Sequence, residues 1–201
     1  MRKKRVMRKK RGRFFMAAGL VLVLAALVLT GYNLWDENRA DRESGRVLAE
    51  METQLPSEAL NVERGPDAEM PTITIEGNKY IGRLAIPALD LEMPVMSEWS
   101  YPKLKKAPCR YSGTVYAGNM IIAGHNYRRH FGRLNIIRIG TAIQFTDVEG
   151  NVYSYKVAEI QTLKPTAVAV MQKPGGWDLT LFTCTFRGSR RVTVRCVRTD
   201  V

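Results

Sequence analysis

The chain has 201 residues, a formal net charge of +12 and three cysteines. This length accommodates one domain of ordinary size with an additional segment, and three cysteines exclude a framework of several disulfide bonds. Residues 1–13 hold nine of the 31 Lys and Arg residues and no acidic residue, which leaves a balance of +3 for the remainder. The sequence therefore predicts a basic head over residues 1–13 and does not predict a nucleic-acid-binding face.

Residues 14–35 form an uncharged, largely apolar stretch directly after the basic head. A helix of this length, at about 1.5 Å per residue, spans the roughly 30 Å hydrocarbon core of a bilayer. A cleavable signal peptide is the alternative, but its apolar region is normally about 7–15 residues long and ends at a small-x-small site, which residues 30–34 do not offer. We therefore expect an uncleaved, single-pass anchor in the cell membrane, embedded in lipid, with the N-terminus cytoplasmic and the rest of the chain extracellular.

Residues 36–71 are predicted to be an extracellular linker that is partly helical. The first part is charged and carries Val47, Leu48 and Met51 as a short apolar stripe, whereas the second part contains several prolines and a glycine. A folded catalytic domain is then expected over residues 72–201.

Residues 72–201 consist mainly of short segments with the composition of strands. The predicted strands before the last hairpin cover residues 72–75, 80–86, 91–95, 120–123, 141–146, 151–163 and 166–171. Residues 99–113 are expected to be irregular, and a short helix is expected only within residues 127–137. Many short strands separated by turns predict a closed barrel or a sandwich.

Residues 180–194 predict a hairpin whose turn contains Gly188 and Ser189. If the turn covers residues 186–189, the facing pairs are Leu181–Val194, Thr183–Val192, Cys184–Arg191 and Thr185–Arg190. Cys184 and Arg191 then share the face opposite to the apolar pairs. A fixed cation beside a cysteine favours the nucleophilic thiolate, although a lone cysteine is more commonly a small buried side chain.

The run Thr180-Leu181-Phe182-Thr183-Cys184, an arginine at the start of the next strand and Gly124-His125-Asn126 upstream resemble the active-site signature of sortases. Sortases are the membrane-anchored cysteine transpeptidases of Gram-positive bacteria, and the resemblance extends from about residue 81 to residue 197. It implies a mostly β fold, a closed eight-stranded sortase-like β-barrel with short helices. It further implies that Cys184 is the nucleophile, His125 the acid/base and Arg191 the residue that stabilises the substrate or the oxyanion.

Three arginines compete for the place beside Cys184. On a strand, Arg190 points to the face opposite to that of Arg191, and Arg195 lies four residues beyond Arg191, which is roughly 13 Å at about 3.3 Å per residue. Arg191 is therefore expected to face the thiol.

The other histidine and cysteines are expected to have no part in the chemistry. His130 stands among bulky and charged neighbours and is predicted to be a surface histidine. Cys196 continues the apolar face of the last strand and is predicted to be a buried, inert thiol, and a Cys109–Cys196 disulfide stays open. No pair of cysteines has zinc-ligand spacing.

The resemblance implies cleavage of a sorting-signal peptide of the Leu-Pro-x-Thr-Gly kind on secreted proteins. An acyl-thioester on Cys184 would then be transferred to an amine of the peptidoglycan precursor. A pilin-polymerising sortase would instead use a pilin lysine as the acceptor, and a secreted cysteine protease would use water. From a different class, a catalytically silent, membrane-tethered binding domain is the alternative. The sequence indicates no cofactor and leaves calcium dependence open.

Overall fold

The computed structural model describes residues 2–172, 175–184 and 188–200, with side chains described from residue 12 onward. The chain divides into two compact units, Met1–Arg39 and Ala40–Val201. The helices are α1 (Arg2–Gln54), α2 (Tyr101–Leu104) and α3 (Val168–Gln172), with 3₁₀ helices at Pro87–Leu89 and Leu134–Ile136. The strands among the described residues are β1 (Ile73–Ile75), β2 (Asn78–Ile86), β3 (Leu91–Met96), β4 (Cys109–Ser112), β5 (Met120–Gly124), β6 (Ala142–Asp147), β7 (Val152–Leu163), β8 (Leu179–Cys184) and β9 (Arg191–Arg198).

The first unit consists of the N-terminal part of α1. Within the described residues, one helical stretch, Gly12–Gln54, is long and apolar enough to cross a membrane, and none of its most apolar window is buried in protein. Its large apolar side chains between residues 14 and 35 are exposed. Exposed apolar side chains around a whole helix are typical of a membrane-spanning segment. The predicted anchor is therefore a candidate membrane span.

The second unit is built on a closed barrel of eight strands. The strands follow one another in the order β2-β3-β4-β5-β8-β9-β7-β6, and β6 pairs back onto β2 to close the ring, while β1 adds to β2 outside it. At this closure Gly82 pairs with Asp147, and a Cβ at Gly82 would overlap the backbone of Thr146. The predicted closed eight-stranded barrel is confirmed, and β1 is an addition to it.

Alternation along the strands separates the interior of the barrel from its outer surface. Leu179 and Leu181 of β8 point into the main core with Val192 and Val194 of β9. Phe182 points outward, where it packs in a second apolar cluster. The face that carries Phe182 and Cys184 is therefore the outside of the barrel.

The C-terminal part of α1 belongs to the same compact unit as the barrel. Val47 and Met51 are buried against Tyr80, Met96 and Cys109. The predicted apolar stripe thus packs on the barrel, and the compact unit begins at Ala40, well before residue 72.

Two segments differ from the secondary structure that their sequence predicts. Residues 166–171 have the alternating β-branched pattern of a strand, but Val168–Gln172 form the short helix α3. Arg195 donates hydrogen bonds to the carbonyl oxygens of Val170 and Met171, which lie in the last turn of that helix, where carbonyls have no intrahelical partner. Residues 99–113, expected to be irregular, contain α2 and β4.

Candidate active site

Cys184 is the last residue of β8, and its side chain is exposed on the outside of the barrel. Strands β8 and β9 are antiparallel, with Leu181 facing Val194, Thr183 facing Val192 and Cys184 facing Arg191. These are three of the four predicted pairs; the fourth, Thr185–Arg190, falls on Thr185, which lies outside the described residues. Gly188 has φ +66°, a conformation that glycine adopts without strain, as the turn requires.

His125 lies directly after β5, the strand that runs parallel to β8. Gly124 pairs with Thr183 in this ladder, so His125 and Cys184 are each the next residue along neighbouring strands. Neighbouring strands are about 4.8 Å apart. The parallel register therefore brings the predicted base beside the predicted nucleophile at one end of the sheet.

The backbone around His125 is fixed by the loop that follows it. The backbone N–H of Phe131 donates to the carbonyl oxygen of His125 at 3.1 Å. A Cβ at Gly124 would overlap the Phe131 ring, so only glycine allows that ring to pack against the strand end. Glycine before the histidine is thus a packing requirement of this loop.

Tyr127 stacks on the imidazole of His125. Their ring centroids are 3.9 Å apart with an interplanar angle of 30°. The face of a tyrosine ring carries negative charge density and attracts a cation. Tyr127 is therefore placed to favour the imidazolium form of His125, a role that the sequence alone did not suggest.

The prediction that His130 is a surface histidine is wrong, because its side chain is completely buried. Its backbone N–H donates to the carbonyl oxygen of Tyr127, and this turn points the imidazole inward. The ring lies 5.4 Å from that of Tyr127, on which His125 also stacks. Burial, and secondarily the charge of His125, lowers the pKa of His130 to about 4. His130 is thus held neutral next to the candidate site.

Arg191 is half-buried at the start of β9, with its guanidinium carbon 5.4 Å from the centre of the Phe182 ring. Its Nε is buried, and no described residue accepts a hydrogen bond from it. Contact with an aromatic ring orients a guanidinium without consuming its N–H donors. Arg191 therefore keeps donors available beside Cys184.

The competing arginines are placed differently. Arg195 pairs with Thr180, four residues from Cys184, and is buried with 3% of its surface exposed. It donates to Thr180 Oγ1 as well as to the last turn of α3. Arg190 is exposed and precedes β9. Of the three, the ladder brings Arg191 opposite the thiol.

The two other cysteines are buried and free. Cys196 lies in the barrel core, and Cys109 lies in the separate cluster under α1. Burial raises the pKa of each thiol to about 12. The prediction of a buried Cys196 is confirmed, and no disulfide joins it to Cys109.

An apolar surface extends from Cys184 along the outside of β5 and β8. Ile121, Ala123 and Phe182 form it together with Met171 of α3. Tyr111 packs edge-on against Phe182, with ring centroids 5.5 Å apart, and Trp99 packs on Tyr111 at 5.7 Å. The sequence analysis did not assign these residues; their only signal was a cluster of aromatic residues in a stretch that was predicted to be irregular.

Known proteins share both the sequence and the fold of this chain. Residues 84–199 match the family described as "Sortase domain". Sortase A of Bacillus anthracis is 24% identical over 184 residues, covering 86% of this chain and 87% of the relative. Sortase A of Staphylococcus aureus (strain NCTC 8325 / PS 47) is 26% identical over 187 residues, covering 89% of each chain. The crystal structure of sortase C1 from Streptococcus agalactiae superposes with a TM-score of 0.56 at 26% identity, covering 64% of this chain and 72% of that one. Since the family match covers more than half of the residues, this chain belongs to the sortase family.

Proposed function

We propose that this sortase is a cysteine transpeptidase that cleaves a sorting-signal peptide of secreted proteins and transfers the acyl part to an amine of the peptidoglycan precursor. The observation that carries the proposal is the register of three neighbouring strands. The parallel β5–β8 ladder sets His125 beside Cys184, and the antiparallel β8–β9 ladder sets Arg191 opposite Cys184. A nucleophile, an acid/base and a cationic donor thus meet at one exposed strand end.

In the first half-reaction, the sulfur of Cys184 attacks the carbonyl carbon of the peptide bond. Attack requires a thiolate, and departure of the amine requires a proton. His125 serves both needs, because it removes the thiol proton and delivers it to the leaving nitrogen. A carbon–sulfur bond forms, the carbon–nitrogen bond breaks, and the substrate stays on Cys184 as a thioester.

In the second half-reaction, an amine attacks the thioester carbonyl and gives its proton to His125. The new amide bond forms as the carbon–sulfur bond breaks, and the proton on His125 returns to the thiolate. Arg191 acts in both halves by donating hydrogen bonds to the oxyanion or to the adjacent substrate backbone. Tyr127 favours the imidazolium that exists between the two proton transfers.

The apolar surface next to Cys184 supports recognition of an extended peptide. Phe182, Tyr111 and Met171 offer ring and aliphatic contacts for residues that precede the cleaved bond. The chemistry needs no cofactor. The helix over residues 14–35 holds the chain in the lipid bilayer with its N-terminus in the cytoplasm, because the basic head is retained there. Digestion of the barrel by protease added outside intact protoplasts tests this orientation, and full protection of the barrel would contradict it.

The test of the proposal is product analysis with the full-length chain in detergent micelles. Peptides with a Leu-Pro-x-Thr-Gly-like signal are incubated with no added amine, with triglycine or with a pilin-like lysine peptide, with and without EDTA. We expect cleavage after threonine and joining of the acyl part to the added amine, with EDTA causing no loss. Hydrolysis alone, whatever amine is present, would identify a protease. No cleavage of any peptide would contradict the proposal.

A further inference from the structure

Arg195 is a buried cation whose hydrogen bonds all go to uncharged oxygens. Its Nη1 donates to Met171 O at 2.6 Å and to Thr180 Oγ1 at 2.9 Å, and its Nη2 donates to Val170 O at 2.9 Å. A guanidinium has five N–H donors, and among the described residues its Nε, which is also buried, has no acceptor. Donors therefore remain unused on a side chain that is 3% exposed.

The charge of Arg195 is only partly balanced by its surroundings. Glu159 of β7 lies opposite Arg195 in the strand register, but its Oε1 already accepts from Gln161 Nε2 at 2.7 Å. A buried guanidinium stays charged, and a buried charge is costly unless it is paired. The arrangement thus has room for a further anion.

A cavity of about 250 Å³ adjoins Arg195 on the outside of the barrel. Besides Arg195 and Thr180, its walls include Ser112, Asn119, Gln172 and Trp177. These are hydrogen-bonding side chains together with one indole ring. A carboxylate that reached Arg195 would therefore find further polar partners there.

The position of the cavity relates it to the reaction. Thr180 lies four residues from Cys184 on β8, which corresponds to roughly 13 Å along the strand. Phe182 lies on the same face between them, and Ile121 joins the apolar surface to the cavity wall. An extended peptide bound along this face with its reactive carbonyl at Cys184 would bring its fourth or fifth preceding residue to Arg195.

We propose that the Arg195 cavity is a substrate subsite for an acidic side chain, glutamate or aspartate, at the fourth or fifth residue before the cleaved bond. The inference rests on the proposed transpeptidase function, because it uses Cys184 to set the register of the peptide. It assigns Arg195 two tasks: it holds α3 in place and it selects the substrate.

The test compares glutamate with the isosteric glutamine. Full-length protein in detergent is given peptides with Glu or Gln at the fourth, fifth or second residue before the cleaved bond, and kcat/KM is measured. We expect a Glu preference of about 10- to 100-fold at the fourth or fifth residue, as a charge-assisted hydrogen bond provides. The second residue is the control, because a preference there would come from the net positive charge of the protein. Equal rates at all positions, or an equal preference at all three, would overturn the inference.

The Arg195→Gln variant should reduce the Glu preference to about one, whereas Arg138→Gln, at an exposed arginine, should leave it unchanged. If Arg195→Gln does not fold, the position dependence in the wild type still decides. Binding of the same peptides to Cys184→Ala separates the two proposals. Tighter binding of the Glu peptides, with none cleaved by the wild type, would contradict the transpeptidase function and support the subsite. Cleavage of Glu and Gln peptides at equal rates would support the function and overturn the subsite.

Discussion

Cys184 and Arg191 face each other directly across strands β8 and β9. In an antiparallel ladder, facing residues have Cβ atoms about 4.5–5.5 Å apart. The backbone hydrogen bonds of two strands therefore hold the arginine beside the thiol, whatever conformation the connecting turn adopts. A cation placed in this way needs no rearrangement when negative charge develops on the substrate.

Substitution of Arg191 should reduce turnover severely. We expect Arg191→Ala to lower kcat about 100- to 1,000-fold, which is typical for the loss of one oxyanion donor. Arg191→Lys should also be strongly impaired, because an ammonium group keeps the charge but lacks the planar fork of donors. The measurement is the turnover number on one peptide, with melting curves to confirm folding.

Arg190→Ala is the matched control and should keep turnover within about tenfold of the wild type, a smaller loss than that of an oxyanion donor. Arg195→Ala should lower the melting temperature, because three hydrogen bonds to Thr180 and α3 are lost. Healthy turnover by Arg191→Ala would show that the guanidinium has no part in the reaction.

The three thiols should differ sharply in reactivity. Burial raises the pKa of Cys109 and Cys196 to about 12, whereas Cys184 is exposed. Brief treatment of the folded protein with iodoacetamide at pH 7.5 should therefore alkylate Cys184 alone, since the thiolate is the reactive form. Peptide mapping by mass spectrometry identifies the site. Alkylation of Cys109 at the same rate would show that its cluster under α1 is open to solvent.

Tyr127→Leu should slow the reaction by about 3- to 10-fold, in line with the loss of a cation–π contact to the His125 imidazolium. Tyr127→Phe keeps the ring face and should retain nearly full turnover. The comparison is made through kcat. If the leucine and phenylalanine variants were equally active, the stack would have only a packing role.

The buried His130 should make stability fall with acidity. Its folded pKa of about 4 lies below the unfolded value near 6.5, so the folded state binds fewer protons between these values. Its contribution is therefore complete above about pH 6.5 and is lost toward pH 4, by about 1.4 kcal/mol per pH unit. His130→Phe should melt with a shallower pH dependence than the wild type between pH 7 and pH 4.5. Identical slopes would mean that His130 does not bind protons on unfolding.

The sequence predicted the hairpin at the site because the local pattern and the tertiary structure agree there. Leu181, Val192 and Val194 alternate with outward residues, and Gly188 supplies the turn, so the register of Cys184 against Arg191 follows from one segment alone. The pairing of β5 with β8 is different, since it joins residues about sixty apart in the chain. Only the resemblance to sortases connected His125 with Cys184 in advance.

The remaining features depend on contacts that are distant in sequence. The β-like pattern of residues 166–171 gives way to α3 because Arg195, on another strand, satisfies the carbonyl oxygens of Val170 and Met171. His130 becomes buried because its loop turns inward beside Phe131 and Leu134, both of which lie in the barrel core. Neither arrangement leaves a periodic signal in the sequence, because each is decided by what packs against the segment.

The central claim is that Cys184 carries the substrate as a thioester during the reaction. Its most direct measurement is the mass of the full-length protein, and of its proteolytic peptides, after rapid acid quenching of a reaction with a sorting-signal peptide and no added amine. We predict that the acyl part of the peptide is attached to Cys184, and that adding triglycine removes it and yields the joined product. Attachment to Cys109 or Cys196, or turnover by Cys184→Ala, would contradict the account.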